Sequence, residues 1–231
     1  MTTLVLFDID GTILSITGVA RRAVYRALEE VFGAAAPERH EFDGKTDPQI
    51  VRELMQRAGV GAGRIDDHLP AAISRYVELL DAELGEADHA DKVHPGVAEL
   101  LDALEAREDV LLGLLTGNVR EGAVTKLTAV GIEPSRFKVG AFGSYHADRP
   151  ELPAIARARA EKMIGREIPG RDVVVIGDTP ADMGCGRGIG ARAIGVATGR
   201  YSADDLLACG AVAAFPDLAD TPAVLRAIVG D

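Results

Sequence analysis

Three apolar runs in this 231-residue chain end on residues whose types and spacing suit chemistry. LVLF at 4–7 runs into Asp8-Ile9-Asp10-Gly11-Thr12, and VLLGLL at 110–115 into Thr116-Gly117-Asn118. VVVI at 173–176 runs into Gly177-Asp178-Thr179, with Asp182 following in the same turn of sequence. A strand end needs one turn residue, not two carboxylates a dipeptide apart, so the first stretch implies a positive partner. Hard oxygen donors of this kind suit Mg²⁺, which takes one or two carboxylates and keeps several waters. Asp8 and Asp178 are expected to face it. With an ordinary side-chain pKa of roughly 4, Asp8 is ionised at neutral pH and can attack phosphorus without a base to activate it. Asp10 points roughly the same way. It can protonate the leaving oxygen, then take a proton from the water that cleaves the aspartyl-phosphate. Gly11 permits the backbone turn that exposes both groups.

Such groups meet only if the strands carrying them lie side by side, which the order of elements allows. The runs at 4–7, 110–115, 139–142, 173–176 and 191–196 are short and continuously apolar, as strands buried on both faces of a parallel sheet are. Helical patterns at 96–107, 119–130, 151–164 and 180–188 separate most of them, with a further strand at 211–215 and a closing helix at 221–229. This alternation predicts an α/β fold with a doubly wound parallel sheet, whose ligands sit beyond the carboxyl ends of the strands. Residues 15–92 break it. Helices at 19–32, 47–58 and 66–84, with turns at 40–48 and 59–63, form an insertion directly after the first strand. The expected division is a core of 1–14 and 93–231 and a helical domain of 15–92.

The set DIDGT, LLTGN and GDTPAD, in this order and at these strand ends, resembles the haloacid dehalogenase superfamily. The helical insertion after the first motif resembles its C1-capped phosphatases, the phosphoglycolate phosphatase-like group, and the likeness spans the whole chain. It implies a Rossmann-like core under a helical cap. It also implies Asp8 as nucleophile, Asp10 as general acid/base and donor of its backbone carbonyl to Mg²⁺, and Thr116 as a phosphoryl-oxygen ligand, with Gly117 and Asn118 beside it in the substrate site. Asp178 would ligate the metal, with Asp182 helping directly or through water. One element departs from the family pattern. A lysine usually precedes the helix before the last motif; here the region reads HADRPELPAIA, so Arg149 takes its place, with Lys162 a distant second. Arginine would hold phosphate and carboxylate with a planar fork instead of a point charge.

Lys45 is expected to reach from the cap toward the substrate, with Asp47 and Gln49 as further specificity candidates. Gly44-Lys45-Thr46 is not a Walker A motif, because the glycine needed five residues before Gly44 is replaced by Arg39. The glycines at 186–190 lie too far past their strand for a dinucleotide fingerprint and read as close packing. The five histidines show no H-x-x-x-H pair and no cysteine company, so a zinc site is not expected.

The leading expectation is a Mg²⁺-dependent phosphatase for a small phosphorylated metabolite, and a sugar-phosphate mutase is its nearest rival. Dehalogenases and phosphonate hydrolases of the superfamily lack the second aspartate, so Asp10 counts against both. A phospho-accepting receiver domain is about half this length and has no helical insertion after its first strand. With 25 basic and 36 acidic residues the net charge is −11, which disfavours nucleic acid and anionic membranes. Cys185 and Cys209 form no Cys-x-x-Cys pair and are expected to be reduced. No apolar run reaches the roughly 20 residues of a membrane helix, and no leader segment is apparent at the N-terminus. The expectation is a cytoplasmic monomer or homodimer.

Overall fold

TLVLF forms the strand β1 (Thr3–Phe7), and Leu4 to Phe7 are fully buried, as a strand covered on both faces must be. The computed structural model, which describes residues 2–37, 40–85, 89 and 92–230, sets β1 inside a six-stranded sheet of order β3-β2-β1-β4-β5-β6. The other strands are β2 (Val110–Thr116), β3 (Val139–Phe142), β4 (Val173–Gly177), β5 (Arg192–Val196) and β6 (Ala213–Phe215). All the pairings are parallel.

From β1 the chain winds out to β2 and β3 on one side, then crosses back to β4, β5 and β6 on the other. The winding direction reverses at β1, which opens a crevice at the carboxyl ends of its neighbours. Register brings the motifs to that crevice. Phe7 is level with both Leu114 and Ile176, so Asp8, Thr116 and Asp178 leave the sheet along one edge.

Three helices follow β1: α1 (Thr17–Phe32), α2 (Asp47–Arg57) and α3 (Ala62–Leu84). The rest are α4 (Val97–Glu105), α5 (Arg120–Ala129), α6 (Leu152–Ile164), α7 (Pro180–Cys185), α8 (Ala203–Ala208) and α9 (Thr221–Val229). The fold is therefore the doubly wound parallel α/β sheet with helices inserted after the first strand. The two connections to the insertion lie side by side. Leu14 and Val93 form an antiparallel bridge, Ser15 N donates to Lys92 O (3.0 Å) and His94 N to Ile13 O (2.9 Å). The Ser15 hydroxyl also meets His94 Nε2 at 2.9 Å.

Leu28, Leu54 and Leu80 of the inserted helices share one buried cluster with Phe7 and Ile176 of the sheet. The insertion is thus packed onto the sheet domain by continuous apolar contact. The opposite face of the sheet buries a second cluster, built from Leu6, Val175, Leu152 and Ala156. Both cysteines are free thiols. Among the described residues no helix is long and apolar enough to cross a membrane.

Several boundaries differ from the sequence expectation. Helix α3 begins at Ala62, inside the expected turn at 59–63, because Gly61 takes an extended conformation and the first turn then buries Ile65. That burial outweighs the propensity cost of Gly63, about 1 kcal/mol relative to alanine. Helix α7 stops at Cys185 and tightens into a 3₁₀ turn over Gly186–Ile189 instead of running to 188. Helix α8 was not anticipated, although its signal was present: Ser202 and Asp205 form a reciprocal capping box.

Candidate active site

Asp8 and Asp10 extend from the end of β1, and the turn that follows depends on Gly11. Its φ is +83°, a left-handed conformation that glycine adopts freely. A β-carbon there would also overlap the Asp178 carboxylate. Thr12 Oγ1 donates to Asp178 Oδ1 at 3.2 Å, tying the first motif to the last.

Asp8 is buried and pairs with Arg149 (Oδ1 to Nη2, 3.0 Å). The same Nη2 donates to Asp182 Oδ1. Arg149 is itself only 5 % exposed, and its Nε has no partner among the described residues. It sits in a short 3₁₀ turn that leads into α6, which places a buried cation against Asp8. Lys162, the second candidate, is exposed on α6 and does not line the site.

Asp182 is fully buried, and protein donors occupy both of its oxygens. Oδ1 takes Arg149, while Oδ2 accepts from Thr179 N (3.1 Å) and Thr179 Oγ1 (2.6 Å) in the capping box of α7. The expectation of a direct metal ligand therefore meets a competing role, because its lone pairs already hold Arg149 and the helix start. Carboxylate oxygens of Asp8, Asp178 and Asp182 nevertheless lie within 4.8 Å of one another. Burial raises Asp8 to about 7, against the pull of Arg149. Burial and the neighbouring Asp8 and Asp182 raise Asp178 to about 8. So much crowded negative charge with one arginine between is an environment that a hard divalent cation would relieve, and the all-oxygen donor set fits Mg²⁺.

Thr116 is buried at the end of β2, and its Oγ1 accepts from Asn118 N (3.3 Å) and Asn118 Nδ2 (2.7 Å). Asn118 Nδ2 also donates to Asp10 Oδ2 at 2.7 Å. Gly117 stands where the insertion touches the sheet domain: a β-carbon would overlap Lys45 O, and Gly117 O accepts from Asp47 N at 2.8 Å.

Lys45, Asp47, Phe42 and Tyr76 from the insertion close over Asp8, Asp10 and Thr116 around a cavity of ≈ 230 Å³. Lys45 reaches it with its ammonium held by Glu53 Oε2 (2.5 Å), which also meets the buried His40 at 3.0 Å. Gln49, expected near the substrate, instead holds Glu53 Oε1 (2.8 Å) and does not line the cavity.

Asp47 has a structural duty as well. Val119 N, at the start of α5, donates to its Oδ2 at 2.8 Å, so a carboxylate from the insertion satisfies the N-terminus of α5. Burial raises Asp47 to about 6, opposed by Lys126 and the Val119 amide. Between the unfolded value of 3.8 and about 6 the folded protein holds a proton that the unfolded chain has lost, so wild-type stability falls as pH rises through this window. Asp47→Asn, which can still accept from Val119, is expected to match wild type near pH 4 and exceed it at pH 8 by about 1–3 kcal/mol. Urea unfolding at both pH values reads the difference. A variant less stable than wild type at pH 8 would mean that the charge itself holds the insertion down.

Lys126 was missed in the sequence. It lies on α5 with its ammonium 2.7 and 2.8 Å from the oxygens of Asp10. A signal was available, because Val119, Ala123, Leu127 and Val130 mark a buried stripe at helical spacing and position 126 falls within it.

A family profile for haloacid dehalogenase-like hydrolases matches residues 2–190. The chain is 28 % identical over 225 residues to a phosphoglycolate phosphatase of Synechococcus elongatus, covering 96 % of this chain and 94 % of that one. Among solved structures, a β-phosphoglucomutase from Clostridium difficile superposes with a TM-score of 0.74 at 15 % identity, covering 100 % and 98 % of the two chains. A hydrolase from Pseudomonas syringae superposes with a TM-score of 0.72 at 21 % identity, covering 99 % of each.

Proposed function

Since the chain belongs to the haloacid dehalogenase-like hydrolases, we propose that it is a Mg²⁺-dependent phosphatase for a small phosphomonoester, acting through an aspartyl-phosphate. One observation carries this most directly: Asp8 and Asp10 stand together on a single cavity, the first against a buried arginine and the second against a buried lysine. Similarity along nearly the whole chain to a phosphoglycolate phosphatase supports the substrate class.

In this reading Asp8 attacks phosphorus, and Arg149 aligns its carboxylate. Thr116 and the Gly117–Asn118 backbone bind the remaining phosphoryl oxygens. Asp10 protonates the leaving oxygen and then takes a proton from the hydrolytic water. Asp8, Asp178 and the Asp10 carbonyl would hold Mg²⁺, with Asp182 acting through Arg149 or through water. When bound, the ion polarises the phosphoryl group and offsets its charge. The cap is residues 15–92, hinged where Leu14 meets Val93, and Lys45 and Tyr76 present its surface to the leaving group.

The test is inorganic phosphate release from a panel of small phosphomonoesters, with Mg²⁺ and with chelator. Release from at least one ester, lost on chelation, is expected. Undiminished release in chelator would remove the metal from the mechanism. Phosphoryl transfer between sugar positions without net release would turn the assignment to a mutase.

A further inference from the structure

Lys126 is 3 % exposed, in the class of residue least often buried without a partner. The network around it is closed. Its ammonium has three N–H groups and three acceptors, Asp10 Oδ1 (2.8 Å), Asp10 Oδ2 (2.7 Å) and Asn118 Oδ1 (2.7 Å). The Asn118 amide spends its two N–H groups on Asp10 Oδ2 and Thr116 Oγ1, each at 2.7 Å. All of this group lines the cavity, and Asp10 is its most exposed member, with a side chain 31 % exposed.

We propose that Lys126 is a positioning residue for Asp10: with Asn118 as its brace, it fixes the carboxylate so that one oxygen faces the departing group of the substrate. The proposal rests on Asp10 being the general acid/base. A substrate-binding role fits the geometry less well, because every donor on the ammonium is already bonded to protein and none is left for a ligand. A purely structural ion pair is the other explanation, and burial alone does not separate the two. What separates them is the dependence on the leaving group. An alkoxide is a poor leaving group and needs its proton from a well-placed acid, whereas p-nitrophenolate departs with little help. A misplaced Asp10 therefore harms one ester and spares the other, while a loosened fold harms both.

The experiment compares kcat/KM of wild type and Lys126→Met for an alkyl phosphate accepted by the enzyme and for p-nitrophenyl phosphate, with Mg²⁺, and repeats the pair in an Asp10→Asn background. Expected is a loss of about 10–100-fold on the alkyl ester, part of the roughly 10²–10⁴-fold span of general acid–base catalysis. The aryl ester should lose less than about threefold, and in Asp10→Asn the lysine change should add nothing. Equal losses on the two esters, or losses that multiply with Asp10→Asn, would overturn the proposal. If Lys126→Met does not fold by circular dichroism, Lys126→Gln gives the same comparison with less disturbance. Wild-type activity abolished by Asp8→Asn is the control for the underlying assignment: wild type inactive on both esters would defeat both ideas, and active wild type with an unselective loss defeats only the role of Lys126.

Discussion

Asp8→Asn is expected to reduce phosphate release to background, a loss of roughly 10⁴–10⁶-fold, as removal of a covalent nucleophile does elsewhere. Asparagine has nearly the shape of aspartate, and its side-chain oxygen can still accept from Arg149, so the site should keep its form. What disappears is the electron pair that forms the bond to phosphorus. Folding should survive, because Asp8 is a charge buried at a cost: its raised value reflects burial that Arg149 only partly offsets. The check is turnover of the best ester beside a thermal unfolding curve. Activity within about a hundredfold of wild type, from a folded variant, would show that Asp8 is not the nucleophile.

Arg149→Leu is expected to have the largest effect on stability. Its guanidinium lies between Asp8 and Asp182, and although burial opposes the charge, those two carboxylates hold it firmly protonated. Removing one side of a buried charge network costs about 3–5 kcal/mol, because the charges left behind have no partner. Asp182 also braces the start of α7 through Thr179, so the damage should spread toward the last motif. Arg149→Lys restores the charge but not the fork, and should recover most of the stability with a smaller share of activity. Denaturant unfolding of the three proteins without metal reads the order wild type, lysine, leucine. A leucine variant as stable as wild type would show that the aspartates shed their charge instead.

The parts of this site that were legible in the sequence lie at strand ends. A run such as VVVIGD shows both the strand and the residue that leaves it, and register across a parallel sheet does the rest, so Asp8, Thr116 and Asp178 could be grouped without knowing any side-chain contact. Arg149 could be placed because Pro150 and Pro153 mark a helix start beside it. Contacts made by side chains across the fold were a different matter. Lys126 drew no attention in the sequence, since its charge masks the apolar stripe that it interrupts. The bond from Arg149 that competes with a ligand role for Asp182 was not legible, because it joins residues 33 apart only once α7 has docked. Gln49 was expected to face substrate, but Glu53 one turn along the helix claims its amide.

The ribbon formed where Leu14 meets Val93 bears on how the chain folds. β1 must pair with β2 across the whole insertion, a closure whose entropic cost grows with the length of free chain between them. Helices α1, α2 and α3 pack chiefly on one another, α1 against α3 above all, so they can associate before the sheet closes. Once they have packed, residues 13–15 and 92–94 are already neighbours, and the loop left to close before β1 meets β2 is shortened to α4 and its turns. The insertion that covers the site is in this sense also the splint that brings the first two strands of the sheet together.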